Sequence, residues 1–89
     1  MIQETIPVIN KLGLHARAAA KLVATAQPFK CEISLERKGR EVNAKSIMGV
    51  MMLAATCGTE VNISLNGSDE VAAFETINAL FANRFGEES

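Results

Sequence analysis

The chain has 89 residues, 48% of them hydrophobic, and a formal net charge of −1. That length accommodates one domain around one core, spanning 1–89 with an acidic tail from about residue 86, and leaves little room for a deep active-site cavity. The balanced charge and the absence of Trp and Tyr exclude the basic, aromatic footprint of a nucleic-acid binder, and no apolar run reaches the roughly 18 residues of a membrane-spanning helix.

Residues 2–9 are predicted as a strand, with Ile2, Ile6 and Val8 on one side and Pro7 marking a sheet edge. Asn10 to Leu14 is a turn-rich loop. Ala16 to Gln27 is dense in helix formers, places Ala19, Leu22, Val23 and Ala26 on one face, and is stopped by Pro28. Cys31, Ile33 and Leu35 alternate with Glu32, Ser34 and Glu36, and Lys38-Gly39 turns this strand into a short partner around Val42. Ser46 is a good N-cap for a short helix from Ile47 to about Ala55. Val61, Ile63 and Leu65 define the last strand. Ser68 is suited to cap a final helix with Asp69 and Glu70 in its first turn and Val71, Phe74, Ile77 and Phe81 as its buried stripe. The order β-α-β-β-α-β-α, with one polar face per strand, predicts an α/β open-faced sandwich of the α+β type, helices covering one face only.

Start and cysteine content bear on compartment. Met1-Ile2-Gln3-Glu4 lacks the basic stretch and apolar run of a secretion signal, so a cytoplasmic protein is expected. Cys31 and Cys57 match no redox or zinc spacing beside a single histidine, which predicts reduced structural thiols, no metal and no cofactor.

The chemistry concentrates in Gly13-Leu14-His15-Ala16-Arg17, where the one histidine falls at the N-cap of a helix after a glycine-containing loop. An N-cap side chain lies beside the unpaired first-turn N–H groups, here those of Ala16 and Arg17, which suit phosphoryl oxygens. The positive helix end disfavours imidazolium and keeps a nitrogen lone pair available, and a neutral imidazole is a competent nucleophile. Phosphate on that nitrogen is held by a labile P–N bond and can be passed on. Arg17 adds a planar cation suited to paired contacts with phosphate oxygens. An isolated histidine or arginine is ordinarily a surface group; their pairing at a helix start gives each a task. A hydrolase would need a nucleophile or orienting carboxylate beside His15, and no such motif accompanies it.

Two stretches, Asn10-Lys11-Leu12-Gly13-Leu14-His15-Ala16-Arg17 and Ala44-Lys45-Ser46-Ile47-Met48-Gly49-Val50-Met51, resemble the HPr family of histidine-containing phosphocarriers of the phosphoenolpyruvate-dependent phosphotransferase system (PTS). The likeness runs from residue 1 to about 86. It implies a four-stranded antiparallel sheet with three helices on one face, and a monomeric carrier rather than an enzyme. It further implies that His15 takes phosphate on Nδ1 from phosphorylated enzyme I and gives it to enzyme IIA domains, with Arg17 steadying it. Many members have proline after the arginine; Ala18 stands here, and as a strong helix former it should still build the turn.

Ser46 has two readings: a helix cap, and, by the resemblance, a site for an ATP-dependent HPr kinase/phosphorylase, where about two negative charges would weaken partner binding. Leu14, Ala20, Ile47, Met48 and Met51 are candidates for an adaptable docking patch, with Lys21 and Lys45 as steering charges. Within the family, Asn10-Lys11-Leu12 and Ala79 to Phe85 are similar to a nitrogen-branch, signalling carrier, whereas Lys45 to Gly49 is similar to carriers regulated by the kinase.

Overall fold

The computed structural model describes residues 1–88, so Ser89, the last residue of the expected domain, lies outside the described residues. Its elements are β1 (Ile2–Pro7), α1 (Ala16–Ala26), β2 (Glu32–Arg37), β3 (Arg40–Asn43), α2 (Ile47–Met52), β4 (Glu60–Asn66) and α3 (Glu70–Ala82). The strands form one antiparallel sheet in the order β1-β4-β2-β3, with Ile6 opposite Val61 and Leu35 opposite both Ile63 and Val42. Pro7 sits on the edge strand, where its missing N–H breaks no ladder.

Alternation decides the layering. Ile6, Ile33, Leu35, Val61, Ile63 and Leu65 are buried on one face, while Glu32, Asn62 and Asn66 stand exposed on the other. The buried face receives Ala19, Leu22, Val23 and Ala26 of α1 and Ala73, Ile77 and Phe81 of α3. Each large apolar side chain buried this way contributes about 1.5–3 kcal/mol. The result is the open-faced sandwich expected from the pattern.

Several local expectations are corrected. α2 stops at Met52 rather than near Ala55, because Leu53 turns into the core and Ala54 takes a left-handed backbone, φ 51°. The residue before α3 is Asp69, not Ser68. Its carboxylate accepts the N–H groups of Lys30 (2.8 Å) and Cys31 (2.9 Å), which ties the loop before β2 to the helix start, and Glu70 accepts the Gly67 N–H (3.1 Å). On α3 the inward stripe is Ala73, Ile77 and Phe81; Val71 is exposed and Phe74 only partly buried. Cys31 is buried, and burial followed by the neighbouring Asp69 carboxylate pushes its thiol up, but Cys57 is exposed and is no core thiol.

The acidic tail does not trail away from the last helix. Arg84, Phe85 and Gly86 form a turn with φ of 55°, 56° and 77°, three consecutive left-handed residues. Phe85 is driven into the core, edge-on to Phe81 with ring centroids 4.8 Å apart. The turn sends Glu87 back across the start of α1.

Candidate functional site

The loop before α1 is built to deliver His15. Asn10, fully buried, donates from its side-chain amide to the Gly13 carbonyl (2.8 Å), and its own carbonyl accepts the Gly13 N–H (3.1 Å). Gly13 takes φ +66°, and a Cβ there would lie 2.4 Å from the Ala55 carbonyl oxygen, so only glycine fits between this loop and the one after α2. Leu14 then donates to the same Ala55 carbonyl at 2.9 Å, and His15 enters the N-cap position with extended backbone, its carbonyl accepting from Ala19 (2.8 Å).

The side chain of His15 makes no capping bond, which leaves the first-turn N–H groups of Ala16, Arg17 and Ala18 without an intrahelical partner. Helix α1 forms with Ala18 buried in its first turn, so the turn closes without a proline. Arg17 is exposed and shares a shallow open depression with Leu12, Lys21, Gly86, Glu87 and Glu88. Arg17 thus lies beside Glu87, which reaches the ring, and the unpaired amides lie at the same helix end; amides and a guanidinium are both groups that bind anions.

One partner of the ring was not foreseen from sequence. His15 Nε2 pairs with the Glu87 carboxylate, an orienting carboxylate that no local motif announced. The other Glu87 oxygen accepts from the Asn10 amide at 3.0 Å. Asn10 therefore faces two acceptors with its NH₂ group, and its Oδ1 is buried without a partner among the described residues. The Asn10 amide first, and then His15, hold the Glu87 carboxyl below its usual range. Because that value is depressed in the folded chain, the stabilising contact is complete above the ordinary carboxylate range and fades as pH falls through the lowered value. The side-chain carboxyl carbon signal of Glu87 should thus titrate with a midpoint below the ordinary carboxylate range; a midpoint at or above the ordinary value contradicts the assignment.

The second motif lies elsewhere. Gln27, at the end of α1, reaches the Lys45 carbonyl (3.4 Å), whereas the loop after α2 meets the start of α1 through Ala55 and Leu14. The two helices therefore run antiparallel and Ser46 sits at the far end of α1 from His15, about 16 Å of helix away. Ser46 caps α2, accepting the Gly49 N–H at 3.1 Å. Ser46→Ala should cost about 1 kcal/mol of stability, read as a lower urea midpoint with an unchanged slope.

Between these ends Ile47, Met48, Met51 and Met52 are exposed, Met48 at 70%, and Ala20 is exposed one turn past Ala16. Leu14 is corrected: it is 4% exposed, turned into the core by its bond to Ala55, and offers almost no docking area. The two lysines assigned to steering are also committed. Lys45 Nζ donates to the carbonyls of Phe29 (2.6 Å) and Cys31 (3.0 Å), and Lys21 Nζ to that of Phe85 (2.6 Å).

The family model described as "PTS HPr component phosphorylation site" matches residues 2–83. The chain is similar to the phosphocarrier protein HPr of Xylella fastidiosa strain Temecula1, 53% identical over 89 residues and covering all of both chains. Its fold is similar to the crystal structure of HPr-C-His from Thermoanaerobacter tengcongensis, TM-score 0.96 at 45% identity, covering all of both chains. It also matches the HPr dimer from that organism, TM-score 0.79 at 45% identity, covering 98% of this chain and 100% of that one.

Proposed function

The chain belongs to the HPr family of PTS phosphocarrier proteins, and from that premise we propose that His15 is the residue that carries the phosphoryl group. The observation that carries this reading is the placement of the one histidine at the start of α1, with free first-turn amides, exposed Arg17 and a carboxylate partner on Nε2. In the proposed cycle, phosphorylated enzyme I supplies the phosphoryl group and an enzyme IIA domain receives it. Arg17 and the amides of Ala16 and Arg17 hold its oxygens, which is most of what such a transfer asks of a protein.

Docking is assigned to Ala20, Ile47, Met48 and Met51, whose exposure and adaptable methionines suit a carrier that meets unlike partners in turn. Ser46 is proposed as a regulatory site for an HPr kinase/phosphorylase. Since it lies a helix length from His15, its phosphate would act by placing about two negative charges at the rim of the docking patch rather than by touching the ring. The relatives reported above carry the name HPr, which favours a transport carrier over the nitrogen-branch alternative. The working unit is taken as one cytoplasmic chain, because a single chain supplies every residue of the site.

Phosphoenolpyruvate with a PTS enzyme I should load one phosphate that is released by acid. ATP with the kinase should load a second, acid-stable one that Ser46→Ala loses. Failure of the first loading sinks the carrier reading, and failure of the second sinks only the regulatory one.

A further inference from the structure

The segment after α3 is bent at a cost. Arg84 and Phe85 occupy left-handed backbone that non-glycine residues avoid, and Gly86 extends the turn. Three separate contacts hold the bend: Phe85 buried against Phe81, the Phe85 carbonyl on Lys21 Nζ at 2.6 Å, and Glu87 on Asn10 at 3.0 Å. What it delivers is a carboxylate to one nitrogen of the candidate acceptor ring. The Glu87 side chain is 10% exposed there and that of His15 25%.

We propose that Glu87 is a positioning residue for the carrier: its carboxylate accepts a hydrogen bond from the Nε2–H of His15, fixing the tautomer in which Nδ1 bears the lone pair, and stabilises the cation formed when Nδ1 takes phosphate. This rests on the reading of His15 as acceptor. The step balances as follows. The Nδ1 lone pair forms the new N–P bond, the bond from phosphorus to the donor's leaving atom breaks, and its electron pair departs with that atom. The Nε2 proton stays in place, so the ring becomes a phosphoimidazolium beside the carboxylate. In the reverse sense the same proton lets the ring leave as neutral imidazole, so one contact serves both loading and unloading. Asn10 in turn supports Glu87, its amide holding the carboxylate oxygen that does not face the ring.

The test is Glu87→Gln, which keeps shape and length but removes the charge, with Glu87→Ala beside it. Ring ¹⁵N shifts on unphosphorylated protein at about pH 9, where a free imidazole is neutral, report the tautomer directly. The wild type should hold the Nε2–H form beyond the mixture of a free imidazole, and both variants should relax toward that mixture. Loading from phosphoenolpyruvate and enzyme I should slow about tenfold in kcat with KM for the chain unchanged. A tautomer ratio or a kcat equal to the wild type in both variants overturns the positioning role alone. A wild type that loads no phosphate on His15 overturns the carrier reading together with it.

Discussion

His15→Ala takes no acid-labile phosphate from phosphoenolpyruvate and enzyme I, while folding as the wild type does. The loss is expected to be complete rather than graded, because the chain has one histidine and every other group at the start of α1 is an amide, a guanidinium or a carboxylate. None of these forms a P–N bond that both accepts and releases a phosphoryl group at neutral pH. Stability should fall only modestly, by about 1 kcal/mol, since the side chain makes no capping bond and the loss is confined to its contact with Glu87, which keeps its bond from Asn10. Circular dichroism with a urea titration separates the two effects. Acid-labile phosphate on the variant would place the acceptor elsewhere.

Gly13→Ala is expected to be the most damaging single-methyl change near the site. The new Cβ would meet the Ala55 carbonyl oxygen at 2.4 Å and Thr56 Cα at 2.9 Å, both backbone atoms that no rotamer change can move aside. The left-handed φ of +66° adds its own penalty of about 1 kcal/mol, and overpacking of this kind costs roughly 1–3 kcal/mol more. The two loops would have to part, breaking the 2.9 Å bond from Leu14 to Ala55 that sets the entry to α1. A fall of about 2–4 kcal/mol in unfolding free energy, with slower phosphoryl loading, is the expected pair of results. Wild-type stability would mean that the loops do not meet as described.

Much of this architecture was legible in the residues. Period-two alternation in Ile33-Leu35 and Val61-Ile63-Leu65, and helical spacing in Ala19-Leu22-Val23-Ala26, state which face each element buries. The N-cap placement of His15 and the capping role of Ser46 were likewise local, set by neighbours a few residues away. Contacts made over long separations were not. Glu87 reaches His15 across 72 positions, guided by a left-handed turn at Arg84 and Phe85 that no composition rule favours. The fates of Lys21, Lys45 and Leu14 depended in the same way on which carbonyls and core space the tertiary fold brought within reach. Asn10 did carry a signal, as an Asn opening an Asn-x-x-Gly turn, but its second bond belongs to Glu87.

The central claim is tested most directly by a long-range ¹H–¹⁵N spectrum of the imidazole after loading with phosphoenolpyruvate and enzyme I. Phosphorus coupled to Nδ1 of His15, with Nε2 still carrying its proton, is the predicted result. Phosphorus on Nε2, or loaded phosphate with an unmodified His15 ring, would contradict it.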